Sequence, residues 1–348
     1  MLMHKSSDQA RFDGLLHDFA VKNHRLVMES AGDIHGELSK FSRFVQDAQS
    51  ESDLSLVIAD GDYLDEPSFD EELATKKIGE IFDTVRGFRC PVLVLGGNYD
   101  PMGTAARVAQ SIGKPIASIG CRLTDSKPYP GNHLNVSGYD FIGVEGSNPI
   151  NGRFPGERPE PEIKWALQQA AHDSAAELDR TILVSHVPPY NMGSRDQLGT
   201  FGLPSSYWGK HVGSTALMEF IEEKKPLMHI SGHIHEGAGV TLLLSCSGKK
   251  PTLEDYKMQE YQKVAVLLKK QGTRATVCVN HGTLEHWTYM RYIIAETDQH
   301  FVIEISKRRI GGKDPFAKLG DIFGRKKKGE IKYDKIYDPD NSLEEILT

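Results

Sequence analysis

The chain has 348 residues, of which 39% are hydrophobic, and a formal net charge of -7. This balance argues against nucleic acid or an acidic membrane as a partner, and no apolar run reaches the roughly 18 residues that span a bilayer. The four cysteines are widely spaced and form no Cys-x-x-Cys pair, which indicates reduced thiols in a cytoplasmic protein and metal ligands that are nitrogen and oxygen.

Residues 1–24 precede the first predicted strand. Their apolar residues recur at helical spacing, which predicts an amphipathic helix that packs on the body of the protein. Association with a membrane surface is the alternative for this segment. The spacing rests on Phe12, Leu15, Leu16, Phe19 and Ala20.

Five apolar runs along the chain end in aspartate, histidine or asparagine, often beside glycine. In an α/β sheet, ligands and catalytic groups collect at the carboxyl ends of the strands, so we expect these side chains to converge. A single histidine at such a place is more often a buried, hydrogen-bonded residue, but the repetition at five strand ends indicates a metal site. The residues concerned are Asp33, His35, Asp62, Asn98, His186, His233 and His235.

Between these motifs the hydrophobic pattern predicts alternating helices and strands. Helices are predicted over residues 36–50, 104–112 and 160–178, and short strands over 116–119 and 141–144.

Nearer the C-terminus, the segment 252–271 is predicted to be a helix, followed by a strand over 275–279. The apolar runs 292–295 and 301–305, joined by Thr297-Asp298-Gln299, predict a hairpin that closes a second sheet.

Two loops are predicted at the mouth of the site. The segment 146–161 holds four prolines and three glycines, and its Arg153 and Arg158 are either solvated charges or contacts for a substrate phosphate. The segment 190–211 is rich in glycine, serine and aromatic residues and predicts a flap that stacks a base or ring, with ordinary packing as the alternative. His211 is a candidate for a substrate contact or a proton donor.

Residues 307–348 are basic, with little apolar content. They predict a mobile, solvated tail or the arm of a homo-oligomer, and binding to an anionic partner is the alternative.

In order, the motifs Asp-x-His, Gly-Asp-x-x-Asp, Gly-Asn-x-Asp, an isolated His and Gly-His-x-His resemble those of the calcineurin-like metallophosphoesterases. The resemblance covers residues 24–306. It is closest to the prokaryotic-type, class III-like phosphodiesterase branch, through the segments 146–149, 186–191 and 209–214. It implies a four-layer αββα sandwich of two mixed β-sheets flanked by helices over residues 25–306, between the N-terminal extension and the basic tail.

The resemblance further implies two divalent metal ions, with Mn favoured and Fe or Zn as alternatives. It implies that a hydroxide bridging the two ions hydrolyses a phosphodiester in a small phosphorylated substrate, for which a nucleotide is the default. A phosphomonoesterase or protein phosphatase, and a metal-binding scaffold with weak catalysis, are the alternative functions. The implied ligands are Asp33, His35, Asp62 and His235 for one ion, and Asp62, Asn98, His186 and His233 for the other, with Asp62 bridging.

Three residues depart from the family pattern. Tyr99 follows Asn98 where many members have a histidine that protonates the leaving group, so the proton donor is open between Tyr99 and His211. Asp60 stands where a small uncharged residue is common, and His281 stands within Asn-His-Gly where Asn-Pro-Gly is common. Asp100, which would have supported the missing histidine, is predicted to cap the following helix.

Overall fold

The computed structural model describes residues 25–120, 133–149, 154–173, 178–198, 209–244, 252–269, 275–296, 300–311 and 335–337. The predicted N-terminal helix therefore lies outside the described residues, as do residues 199–208 of the predicted flap and most of the basic tail.

The chain alternates strands and helices in its first two thirds and continues with strands. The helices are α1 (Leu38–Ser50), α2 (Glu71–Asp83), α3 (Thr104–Ile112), α4 (Glu160–Asp173) and α5 (Thr215–Lys224). The first eight strands are β1 (Arg25–Ala31), β2 (Leu56–Ala59), β3 (Val92–Val94), β4 (Ile116–Ser118), β5 (His133–Val136), β6 (Tyr139–Val144), β7 (Thr181–Ser185) and β8 (Met228–Ser231). The others are β9 (Gly239–Leu244), β10 (Thr252–Lys257), β11 (Lys263–Lys269), β12 (Ala275–Asn280), β13 (Thr288–Glu296), β14 (His300–Arg309) and β15 (Lys335–Tyr337).

These strands form two mixed sheets. The first has eight strands in the order β15-β11-β14-β13-β1-β2-β3-β4, and the second has seven in the order β10-β9-β12-β8-β7-β6-β5. Strands β1 to β4 run parallel, as do β6, β7, β8 and β12, so their carboxyl ends point the same way within each sheet. The predicted αββα sandwich is confirmed.

One core cluster fills the space between the sheets, with Met28, Ile58, Ile230 and Tyr292 among its fully or almost fully buried members. Helices cover the outer faces, because each carries an apolar stripe at helical spacing. Phe41 of α1 belongs to the cluster outside the first sheet. Leu167 of α4, Leu217 of α5 and Ile221 of α5 belong to the cluster outside the second sheet.

The helix predicted over 252–271 is wrong, since the structure forms β10 and β11 there. In β11 the alternate residues Val264, Val266 and Leu268 enter the core between the sheets, a period of two that only a strand provides. The pattern is short and has apolar neighbours, which makes it easy to confuse with a buried helix.

The predicted hairpin pairs as expected, with Tyr292 opposite Ile305, but it belongs to the first sheet rather than closing the second. Strand β13 lies antiparallel beside β1, and Arg25 faces Ala295. The sequence pattern identifies the two strands of the hairpin. It does not identify the strand beside which the hairpin lies, because β1 is far away in the chain.

The boundary predicted at residue 306 falls inside β14, which continues to Arg309. Further along, β15 pairs in parallel with β11, with Ala265 opposite Ile336. The rest of the predicted tail lies outside the described residues. Within the described part of the chain, no helix is both long and apolar enough to cross a membrane.

Candidate metal centre

Seven candidate ligand side chains follow the carboxyl ends of parallel strands in the two sheets. The first sheet presents Asp33 and His35 after β1, Asp62 after β2 and Asn98 after β3; the second presents His186 after β7, and His233 and His235 after β8. The strand-end rule applied to the sequence therefore places these residues correctly.

One group consists of Asp33, His35 and His235, whose potential ligand atoms all lie within 4.8 Å of one another. The Nε2 atom of His235 is 3.3 Å from Oδ1 of Asp33, and the Nε2 atoms of His35 and His235 are 3.3 Å apart. These distances are short enough for a single cation to contact all three side chains.

The second group consists of Asp62, His186 and His233, and its potential ligand atoms also lie within 4.8 Å of one another. Oδ1 of Asn98 lies 2.9 Å from Nε2 of His186, which brings the amide oxygen to the same place. Oδ2 of Asp62 is 3.4 Å from Nε2 of His186 and 3.9 Å from Nε2 of His35. Asp62 therefore lies between the two groups, and all seven predicted ligands meet.

One buried atom in these groups, Nε2 of His233, has no hydrogen-bond partner among the described residues, and Oδ1 of Asp33 is surrounded by histidine nitrogens at 3.3–4.0 Å. Buried polar atoms are nearly always satisfied, and a missing partner points to an ion or a functional role. A carboxylate oxygen and an imidazole nitrogen are ligands that Mn, Fe and Zn accept. The donor set therefore fits two divalent metal ions.

The electrostatics of the site favour a cation. Burial alone would lower the pKa of His186 and His235, but the Asp62 carboxylate raises the pKa of His186 to about 10 and Asp33 raises that of His235 to about 9. Burial and the neighbouring His186 instead lower the pKa of His233 to about 3. His233 is therefore neutral, with a lone pair available for a metal.

Four of the ligand residues have backbone angles that favour glycine. The φ angles are 48° at Asp33, 45° at His35, 49° at Asp62 and 66° at His233. Such conformations cost roughly 1–3 kcal/mol each and gather at functional sites. Hydrogen bonds between the loops hold them, since His35 N donates to the Asp62 carbonyl at 2.7 Å.

Glycine allows the loop after β3 to pass very close to Asp62. A Cβ atom on Gly97 would lie 2.1 Å from Oδ1 of Asp62 and 2.3 Å from its backbone nitrogen. Any side chain at position 97 would therefore displace the carboxylate that lies between the two ligand groups.

The segment after β6 braces the Asn98 loop. Gly146 N donates to the Gly96 carbonyl at 2.8 Å, and Gly156 N donates to the Asn98 carbonyl at 2.9 Å. Arg158, only 1% exposed, forms a 2.9 Å ion pair with the buried Glu145. The prediction that Arg158 is a solvated charge is therefore wrong, and its guanidinium is engaged by Glu145, while Arg153 lies outside the described residues.

The prediction that Asp100 caps the next helix is wrong, because the N-cap of α3 is Gly103. The Asp100 carboxylate instead accepts hydrogen bonds from Tyr63 N at 3.1 Å and Gly97 N at 2.9 Å. It thereby joins the loops after β2 and β3. Burial, with the nearby Asp62 charge, raises the pKa of Asp100 to about 7.

Tyr99 borders the first group. Its backbone nitrogen donates to Oδ1 of Asp62 at 2.8 Å, its ring meets that of His35 edge-on at 4.9 Å, and it stacks on Phe154 at 5.3 Å. Burial and the Asp62 charge raise the pKa of the Tyr99 phenol, so it carries its proton at neutral pH. 

His211 belongs to neither ligand group. Its Nδ1 lies 2.7 Å from Oδ1 of the buried Asp196, which also accepts hydrogen bonds from Asn191 N and Met192 N. The ring is T-shaped to Tyr190 at 5.9 Å. The structure thus shows a histidine held by a carboxylate in the loop after β7.

The last residue of β12 and residues shortly after this strand support the ligand loops, and sequence reasoning assigned them no such role. Asn280 Nδ2 donates to the carbonyls of Gly232 at 3.0 Å and Ile234 at 3.2 Å, and Thr283 Oγ1 donates to the Asp33 carbonyl at 3.1 Å. Glu285 lies 3.8 Å from Nδ1 of His235. The available signal was the same as for the ligands, because Asn280 ends an apolar strand.

Comparison with known proteins adds two findings. The model of the calcineurin-like phosphoesterase family matches residues 31–237, and no curated protein matches the chain. One solved crystal structure is 13% identical over 82% of this chain and 99% of its own, with a TM-score of 0.53. The crystal structure of the protein TT1561 from Thermus thermophilus is 15% identical over 76% of this chain and 93% of its own, with a TM-score of 0.47. The crystal structure of a dimetal phosphatase from Danio rerio is 8% identical over 82% of this chain and 99% of its own, with a TM-score of 0.43. At 13% identity, the likeness to the first of these structures is one of fold.

Proposed function

The chain belongs to the calcineurin-like phosphoesterase family, and from this premise we propose that it hydrolyses a phosphodiester at a centre of two divalent metal ions. The observation that carries the proposal is the meeting of two ligand groups with Asp62 between them. Family and donor set together fit a dinuclear site. The phosphodiester is our inference within the phosphoric ester hydrolases that the family implies.

In this proposal Asp62 contacts both ions. Bound divalent ions would lower the pKa of water towards neutrality and neutralise charge on the phosphoryl oxygens. The protein's own part is to hold the ligands rigidly, through buried carboxylates and strained loops that other side chains brace. The first ion would be held by Asp33, His35, Asp62 and His235, and the second by Asp62, Asn98, His186 and His233.

We propose Mn as the metal, with Fe and Zn as the competitors that the mixed nitrogen and oxygen ligands also suit. Reconstituting metal-stripped protein with each ion in turn tests this choice. The expected result is the highest phosphodiester turnover with Mn. Higher turnover with Fe or Zn would overturn it.

The resemblance of the sequence to the class III-like phosphodiesterase branch, rather than charge, supports a diester over a monoester. A phosphodiester carries one negative charge, whereas a monoester carries up to two near neutral pH. The site already holds the buried carboxylates Asp33, Asp60 and Asp62, and the guanidinium of Arg158 is engaged with Glu145. Two divalent ions would outweigh these carboxylates, so charge excludes neither ester, and the relative hydrolysis rates decide between them. A small phosphorylated substrate such as a nucleotide fits this proposal.

We assign protonation of the leaving group to Tyr99 rather than His211. Tyr99 touches Asp62 and His35, whereas His211 is held by Asp196 in another loop. A donor must lie within hydrogen-bond reach of the leaving oxygen, so the contact of the Tyr99 ring with His35 supports this assignment.

The experiment compares Mn-supported hydrolysis of a bis-aryl phosphodiester with that of the matching aryl monoester. Metal-stripped protein is one control. The variant His233→Ala should lose turnover, and His133→Ala, which removes an exposed histidine on β5, should retain it. Faster monoester hydrolysis would favour the phosphatase alternative, and no turnover of either ester with two bound metals would favour the scaffold.

A further inference from the structure

A buried pair of side chains joins the two sheets behind the metal centre. Oδ2 of Asp60 lies 2.6 Å from Nε2 of His281, and both residues are almost completely buried. Asp60 follows β2 in the first sheet, and His281 follows β12 in the second. The pair is therefore a hydrogen-bonded ionisable contact that crosses from one sheet to the other.

Each partner is also tied to a loop or strand end that presents ligands. The carbonyl of Asp60 lies 2.9 Å from Nδ1 of His186, which leaves Nε2 of that imidazole directed at Asn98 and Asp62. The backbone nitrogen of His281 donates to the Ser231 carbonyl at 2.9 Å, at the end of the strand that leads to His233.

The pair fills the space between the two glycines that precede ligands. A Cβ atom on Gly32 would lie 1.6 Å from Oδ1 of Asp60 and 2.8 Å from Cε1 of His281. A Cβ atom on Gly232 would lie 2.9 Å from Cε1 of His281 and 2.7 Å from Oδ2 of Asp33. Both ligand loops therefore pack directly on the pair.

The position of the pair matters because the metal centre is assembled from both sheets. The first ligand group combines Asp33 and His35 with His235, and the second combines Asp62 with His186 and His233. A small shift of one sheet against the other would move ligands within both groups at once. A contact between the sheets at this depth opposes such a shift.

We infer that Asp60 and His281 are positioning residues that fix the two sheets in the register that the metal centre requires. The inference rests on the proposed function, since it assigns the pair to the proposed metal site. It assigns the two residues no contact with substrate. Groups that orient metal ligands typically change metal affinity by about 10–100-fold when removed.

The test uses the metal-stripped full chain and titration with Mn²⁺ by calorimetry, beside urea unfolding of the metal-free protein. His281→Ala removes the contact but leaves the Asp60 carboxylate in place. If the pair acted only through negative charge, this variant would bind Mn²⁺ as tightly as the wild type or more tightly. Positioning predicts a loss of about 10–100-fold in affinity.

Two further variants separate position from stability. His281→Gln retains an amide that can donate to Asp60. Its Mn²⁺ affinity should therefore lie within about threefold of the wild type, a smaller loss than the roughly 10–100-fold expected when a positioning group is removed. Tyr292→Phe removes a buried 2.6 Å hydrogen bond to Ser30 within the first sheet. It should lower the stability of the metal-free protein without changing Mn²⁺ affinity.

Wild-type affinity in a folded His281→Ala variant would overturn the inference, as would an equal loss in Tyr292→Phe. Should His281→Ala fail to fold, the double variant with Asp60→Ala leaves neither partner unpaired and is judged by the same criterion. Failure of the wild type to bind two ions would instead overturn the proposed function. The two failures are therefore distinguishable.

Discussion

Replacing Asp62 by asparagine tests the central feature of the proposed site, a carboxylate shared by two ions. Asparagine keeps the shape of the side chain, and its Oδ1 can still accept the 2.8 Å hydrogen bond from Tyr99 N. The substitution therefore removes one negative charge while leaving the loop in place. Its effect on metal binding reports electrostatics more than folding.

The expected size follows from the distances around Asp62. Its Oδ2 lies 3.4 Å from Nε2 of His186 in one group and 3.9 Å from Nε2 of His35 in the other. Two unit charges about 4 Å apart interact by roughly 4 kcal/mol at an effective dielectric constant near 20, and a divalent ion doubles this, so the loss in affinity is at least about 10³-fold. We expect Asp62→Asn to lower the binding affinity for both ions by this factor and to abolish turnover.

Metal content after dialysis, measured by mass spectrometry, and Mn²⁺ titration check this result. Asp33→Asn should lower mainly the affinity for the first ion, and Asn98→Ala mainly the affinity for the second. Asp65→Asn is the matched control, since Asp65 is a solvent-exposed aspartate paired with Lys77. Retention of one ion with wild-type affinity in Asp62→Asn would refute the bridging assignment, as would near-normal turnover.

Three further predictions concern proton donation and buried charge. Tyr99→Phe keeps the stacked ring but removes the phenol hydroxyl. It should slow hydrolysis of an alkyl diester by about 10²-fold and that of a p-nitrophenyl diester far less, because the alkoxide is the poorer leaving group and needs the proton. His211→Gln should leave the ratio of the two rates unchanged, and a larger effect than that of Tyr99→Phe would move the donor role to His211. Burial raises the pKa of Glu29 from 4.5 to about 7 despite Arg291 at 2.9 Å, so the folded protein holds this proton after the unfolded chain has lost it, and stability falls as pH rises between those values. The free energy of unfolding of Glu29→Gln relative to wild type should therefore grow by about 3 kcal/mol across that window in urea titrations, and no growth would show that the ion pair outweighs burial.

The grouping of the candidate ligands could be predicted from the sequence because each candidate is marked locally. His186 and Asn98 both stand at the end of an apolar run, and parallel strands carry such ends to one edge of a sheet. No knowledge of which strands are neighbours is needed for this step. The rule holds equally for Asn280, whose amide supports the loop of His233 and His235.

Features that depend on contacts between distant segments could not be predicted in the same way. In the segment that forms β10 and β11, the core-facing residues of β11 alternate with other apolar residues, and pairing with the neighbours β9 and β14 decides that the segment is extended. Asp60 and His281 each stand out in the sequence as an unusual residue. Their contact joins positions 221 residues apart, and nothing local to either one indicates the other.

Contacts within the protein hold the backbone of the candidate site in unfavourable conformations. Left-handed conformations at Asp33, His35, Asp62 and His233 are unfavourable for residues other than glycine, and they persist only where surrounding contacts determine them. Here those contacts come from the protein itself, including the backbone hydrogen bond from Asp33 N to the Gly61 carbonyl at 3.1 Å. Folding energy from the core between the sheets thus maintains strained loops at the sheet edge. A site held in this way binds a metal without first ordering its ligands, which reduces the entropy cost of binding.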